Sequence, residues 1–221
     1  MFRQFRDRVE AGMMLARRLK EYAGRSDVLV FALPRGGVPV GYEVARSLNV
    51  PLDVVIVRKL GVPGQEELAM GAIASGGVRV MNEDVLPFLS VSREAVERVV
   101  AREQKELERR EQLYRGKRPF PDVRGKTVLL VDDGIATGTT MRSAVEALKK
   151  QQPAKVVVAV PVAARSTCEE FNAKADHESC VCLEMPDPFF AVGLWYENFA
   201  QTTDEEVRDL LALAAREQRA A

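Results

Sequence analysis

Short, mostly apolar runs recur along the chain at 28–33, 52–57, 128–131, 155–160 and 179–183. Runs of this length, rich in Val, Leu and Ile and lacking polar alternation, read as strands buried on both faces. Between them the period changes to three and four. Phe5, Val9, Met13, Ala16 and Leu19 predict an amphipathic helix over 5–22, with Gly24 just past its end. Helical spacing resumes over 38–48, with Pro39 near the first turn, where proline is tolerated. From Ser92 to about Tyr114 a long, charge-rich helix carries Val96, Val99, Val100 and Leu107 on one face, and its charges read as a solvated face. Further helices are predicted from Thr139, over 165–175, and after the capping box Thr203-Asp-Glu-Glu206. Strand, loop, helix and strand alternate, so the fold class is α/β, a mainly parallel twisted sheet flanked by helices.

Some stretches break the alternation. Arg58–Glu67 is polar, holds two glycines and a proline, and reads as no regular element; it opens a flexible loop over 58–77. Toward the end of that loop, 68–75 and 78–81 flank Gly76-Gly77 as a hairpin would. A long loop inside an α/β domain reads as a working lid. Lys117–Asp122 is a proline-punctuated connector. The stretch 185–199 gathers Phe189, Phe190, Trp195, Tyr196 and Phe199 in a chain only 6% aromatic. The chain thus divides into a core over 1–184 and a C-terminal covering segment over 185–221, helped by the N-terminal helix.

Composition narrows the classes. Lys+Arg 32 balances Asp+Glu 32 over 221 residues, so the basic excess of a nucleic-acid binder is missing. No apolar run is long enough to span a bilayer and the first residues have no apolar signal region, so a soluble cytoplasmic protein with no membrane partner is expected. The odd set Cys168, Cys180 and Cys182 reads as reduced thiols, the last two buried on one strand face rather than metal-binding. His177 reads as a surface histidine.

The chemistry concentrates in Val128–Thr140. A buried strand ends in Asp132-Asp133, followed by a small-residue loop through Ala136, Thr137, Gly138, Thr139 and Thr140 into a helix. Backbone N–H groups, threonine hydroxyls and the helix N-terminus suit a phosphate. The two carboxylates suit hydroxyls or a metal, and together the halves describe a ribose 5-phosphate. An isolated Asp-Asp is usually a solvated turn; the flanking strand and loop argue otherwise here. Gly138 is followed by threonine rather than lysine, so the loop is no P-loop, and neither glycine loop has the dinucleotide fingerprint. The polar loops 34–37, 58–67 and 132–140 follow or adjoin core strands and are expected to converge at the carboxyl ends of the sheet.

Val131-Asp-Asp-Gly-Ile-Ala-Thr-Gly-Thr-Thr140 resembles the phosphoribosyl pyrophosphate (PRPP) motif of the type I phosphoribosyltransferases. Pro34-Arg-Gly-Gly37 is similar to the family's pyrophosphate loop, and Arg58-Lys59 to the opening of its flexible loop. The likeness covers roughly 25–185, and is closest to a branch whose acceptor is unassigned. It implies a type I core with a small hood, here 185–221. It implies that Asp132 and Asp133 hold the ribose 2- and 3-hydroxyls, directly or through Mg²⁺, with the metal on these carboxylates directly or through water. The amides of Ala136–Thr140 and the hydroxyls of Thr137, Thr139 and Thr140 would hold the 5-phosphate. Arg35, Gly36 and Gly37 would bind pyrophosphate, often with a non-proline cis peptide in that loop, and Lys59 would close over the leaving group.

The reaction implied is transfer of the phosphoribosyl group from PRPP to a nitrogen acceptor, in nucleotide metabolism, by a homodimer. In the 6-oxopurine branch the position of Ala136 carries an aspartate that serves the base. Alanine cannot, so a base other than a 6-oxopurine is expected. Phe189, Phe190 or Trp195 stack on that base or only pack the hood. The competing reading is a PRPP-binding regulator with the same fold and no transfer.

Overall fold

The apolar runs form the centre of the molecule. The computed structural model describes residues 4–82, 91–173 and 178–220. Its strands are β1 Val28–Ala32, β2 Leu52–Val54, β3 Val57–Val62, β4 Gln65–Ala74, β5 Val78–Met81, β6 Thr127–Val131, β7 Lys155–Val162 and β8 Glu178–Glu184. Five of them make a parallel sheet in the order β2-β1-β6-β7-β8. Every residue of β1 and β6 is buried, as unbroken apolar runs require. The chain leaves β1 toward one edge of the sheet and β6 toward the other. The loops after these neighbouring strands therefore open side by side at the carboxyl end, where α/β sheets bind ligands.

The helices are α1 Arg8–Arg18, α2 Gly37–Leu48, α3 Arg93–Arg115, α4 Thr139–Lys149, α5 Arg165–Ala173 and α6 Asp204–Ala220. Side chains alternate across the sheet. Val28, Val30, Leu129 and Val157 pack with residues of α1, α2 and α6, whereas Leu29, Phe31, Leu130 and Val158 pack with α4 and α5. The expected mainly parallel sheet between helices is what forms.

At four places the structure departs from the sequence expectation. The buried face of α1 is Ala11, Gly12, Leu15 and Ala16, while Val9 and Met13 are 41% and 42% exposed. The face is turned because small residues set it: a Cβ at Gly12 would lie 2.8 Å from Val40 O on α2. Next, 58–67 is regular. β3 and β4 pair antiparallel across a turn at Pro63-Gly64, and β5 adds the predicted hairpin strand around Gly76-Gly77. The glycines that suggested a loop serve a register shift at Gly61, where a Cβ would lie 2.6 Å from Glu66 O, and a turn at Gly64 with φ 79°.

The charges of α3 are not all solvated. Glu103 is buried against Arg58, whose Nε donates to Oε2 at 2.9 Å, and Arg115 is buried 3.2 Å from Asp53 Oδ1. Finally, Cys168 and Cys180 form a disulfide instead of two free thiols. α5 lies against β8 with these Cα atoms 5.7 Å apart, within bridging range, a proximity the sequence does not encode. Cys182 is a buried free thiol, as expected. His177 lies outside the described residues.

The 185–203 segment folds back over the start of the chain. Phe5 N donates to Trp195 O and Glu197 N to Phe5 O, both at 2.8 Å, so the two stretches run as a short parallel pair ahead of α1.

Candidate active site

The loop after β1 and the loop after β6 touch. A Cβ on Gly36 would lie 2.1 Å from Asp133 Oδ2, and one on Gly37 would lie 2.9 Å from Asp132 Cα. A side chain at Gly36 would displace the Asp133 carboxylate, and one at Gly37 would strike the main chain of β6 and Asp132. The Pro34–Arg35 peptide is cis. Arg35 is part-exposed, with its Nη1 3.9 Å from Asp204 Oδ1 at the start of α6; the Tyr114 hydroxyl donates to the same carboxylate. Burial, then that carboxylate, pushes the Tyr114 phenol up to about 12.

Beyond the acids, Gly134 sits under Val192, where a Cβ would be 2.5 Å from Cγ1. Gly138 takes φ 70° just before Thr139 opens α4, and no side chain caps this helix start. Its amides thus face an open depression of about 260 Å³ lined by Asp132, Gly134–Met141 and Val192. The loop is braced from behind. Thr167 Oγ1 on α5 donates to Ala136 O at 2.9 Å, and Arg142 on α4 bridges Thr137 O and Glu170.

The two carboxylates differ electrostatically. Arg8, at the start of α1, places Nε 2.8 Å from Asp133 Oδ2. Burial pushes Asp133 up and the guanidinium opposes it; Asp132 is driven well above the usual carboxylate range by burial and then by the charge of Asp133. A cation or a hydroxyl-rich ligand would relieve that pair. Carboxylate oxygens are the hard donors Mg²⁺ takes, and among the described residues no cluster of three or more His, Cys, Asp or Glu forms a protein cage. The pair fits an ion that arrives with waters and ligand phosphates of its own.

Of the residues singled out in the sequence, Arg35, Gly36, Gly37, Asp132, Asp133 and Ala136–Thr140 come together at the carboxyl ends of β1 and β6. Lys59 lies on β3, its Nζ donating to Glu67 O at 3.0 Å across the hairpin. Phe189 and Trp195 pack against a cluster of Phe5, Ala11, Val162 and Tyr196, and Phe190 is 77% exposed. Sequence reasoning missed Arg8, Arg142, Thr167, Val192 and Tyr196, whose hydroxyl donates to Asp133 O at 2.6 Å. Arg142 had a signal, since a cation in the first turn of a helix opposes the macrodipole unless something holds it there.

A mainly parallel sheet between helices, with an acid pair and a glycine–threonine loop where the strand order reverses, defines an open α/β protein of the doubly wound class. The chain belongs to the phosphoribosyl transferase domain family, whose profile matches residues 4–197. A Mycobacterium tuberculosis protein named as a putative phosphoribosyl transferase, found in two strains, is 46% identical over 213 residues, 96% of this chain and 47% of its own length. The chain therefore spans about half the length of the curated relatives it matches. The crystal structure of TT1426 from Thermus thermophilus is 43% identical with a TM-score of 0.83, covering 94% of this chain and 97% of that one. No helix among the described residues is long and apolar enough to cross a membrane.

Proposed function

We propose that this chain carries out Mg²⁺-dependent transfer of the 5-phosphoribosyl group from PRPP to a nitrogen acceptor, a nucleobase other than a 6-oxopurine, with release of pyrophosphate. One observation carries the reading: the missing Cβ at Gly36 lets the Arg35–Gly37 loop lie directly on Asp133, so an anion loop, an acid pair and a second anion loop are contiguous. PRPP is a ligand with that sequence of groups, pyrophosphate, ribose diol and 5-phosphate. Asp132 and Asp133 hold the ribose hydroxyls, the Ala136–Thr140 amides and hydroxyls the 5-phosphate, and Arg35 with the Gly36 and Gly37 amides the pyrophosphate. Bound Mg²⁺ would offset charge on the leaving group.

The protein's share is positioning and electrostatic stabilisation of an oxocarbenium-like transition state, which requires no covalent nucleophile. Lys59 leaves Glu67 for the departing pyrophosphate as the β3–β4 hairpin closes and excludes water. Ala136 supports the acceptor class, because it offers no acid or base to the ring nitrogen of a 6-oxopurine. The hood aromatics Phe189 and Trp195 serve packing in this reading, and Val192 borders the site.

Pyrophosphate release from PRPP and Mg²⁺ against a panel of nucleobases and other amines tests this. Release with one pyrimidine or 6-aminopurine, abolished by Asp133→Asn, is expected. PRPP binding without release for any acceptor would replace the transferase by a PRPP-sensing protein, and no PRPP binding would remove both.

A further inference from the structure

Three distant parts of the chain meet on one side chain. Arg8 is the first residue of α1, and its Nε and Nη2 both lie 2.8 Å from the same oxygen, Asp133 Oδ2. Its Nη1 donates to Ala200 O at 2.7 Å, and its guanidinium carbon is 4.0 Å from the Phe199 ring centroid. The side chains of Arg8 and Asp133 are 11% and 14% exposed. A planar guanidinium gripped on a carboxylate, a carbonyl and a ring face keeps one orientation. Tyr196 fixes the same residue from its main-chain side, and Gly36 closes the remaining side, since a Cβ there would also come within 3.4 Å of Arg8 Nε.

Because both short contacts fall on Oδ2, Oδ1 stays outside the ion pair. We propose that Arg8 is a positioning residue of the PRPP site: it fixes the Asp133 carboxylate so that Oδ1 meets the ribose hydroxyls, and ties that orientation to the 196–200 strap. This inference rests on the ribose role given to Asp133 above. An exposed pair of this kind would hold little, but a largely buried, charge-assisted one sets geometry. Arg8 acts through Asp133 and is not itself a ligand. A purely structural staple between the chain ends would use the same contacts with Ala200 and Phe199 but would leave PRPP affinity unchanged.

Calorimetric titration of Mg²⁺–PRPP into wild type, Arg8→Lys, Arg8→Met, Asp133→Asn and the Arg8→Met/Asp133→Asn double variant, with a thermal melt of each, separates the two. Arg8→Met is expected to weaken binding tenfold or more. Arg8→Lys, which keeps the charge but not the planar double contact, should lose at least threefold. In the Asp133→Asn background Arg8→Met should add less than twofold, because no carboxylate is left to aim. Unchanged or tighter binding by folded Arg8→Met, or an undiminished loss in the double variant, overturns the proposal. If Arg8→Met does not fold, wild-type affinity in Arg8→Lys overturns it. A wild type that binds no PRPP overturns the ribose reading first, and this inference with it.

Discussion

Gly36 and Gly37 are adjacent, equally small and set against different things. Gly36 has φ −59° and ψ −32°, a conformation open to any residue, so space alone demands glycine there. The atom in the way is the end of the Asp133 side chain. Gly36→Ala should therefore push Asp133 off Arg8 and lower PRPP affinity tenfold or more, ~1.4 kcal/mol, with a smaller loss of stability than at Gly37, because a side-chain end can move where main chain cannot. At Gly37 the obstacle is main chain, Val131 O at 2.8 Å and Asp132 Cα at 2.9 Å. Gly37→Ala should cost about 1–3 kcal/mol of stability by overpacking, read by urea unfolding. Equal stability losses at both positions would contradict this account. Both glycines stood out in the sequence because Pro34–Gly37 resembles a pyrophosphate loop, and such a likeness is carried by consecutive residues. Arg8 was invisible: its partner is 125 positions away, and no pattern along α1 distinguishes it from the other arginines there.

Among the elements, α3 shows how far a helical period can be read. Its apolar stripe was legible in Val96, Val99 and Leu107, and Glu103 stands in that stripe, four residues after Val99 and four before Leu107. That position was the available sign of a buried charge. The exposed side carries a separate effect. Side-chain hydrogen bonds from Arg109 and then Arg110 hold Glu106 down to about 2. A carboxyl depressed below its ordinary 4.5 contributes stability above that pH and loses it as the pH falls toward 2. The pair is at the surface, so the contribution is below ~1 kcal/mol. Melts of Glu106→Gln and wild type should differ slightly at neutral pH and converge between pH 4.5 and about 2; a gap that widens on acidification would reverse the sign. Arg115, at the C-terminal end of α3, is a different case. Arg115→Met strands Asp53 in the interior and should cost about 3–5 kcal/mol in chemical denaturation, and a loss under ~1 kcal/mol would mean the pair is solvated. The hairpin of β3 and β4 was misread for a physical reason too: glycine and proline mark turns and bulges as readily as loops, and only cross-strand pairing tells them apart.

For the molecule as a whole, the proposed ligand joins the loops after β1 and β6 with the start of α4, so its binding should be felt by global unfolding. At a hundredfold excess over its dissociation constant, Mg²⁺–PRPP should add ~2.7 kcal/mol, raising the melting temperature of a chain this size by roughly 5–10 °C. Millimolar PRPP with no shift would count against the site. Consecutive residues were enough to read the parallel sheet and the strand–acid–glycine–threonine motif, because buried-strand runs and a loop joining strand to helix are local patterns. Tertiary structure decided which charges are buried, that Cys168 meets Cys180, that Val192 rather than an aromatic borders the loop, and that Arg8 holds Asp133. Each of these depends on residues distant in the chain meeting in space, and such proximity follows from packing, which no local period records.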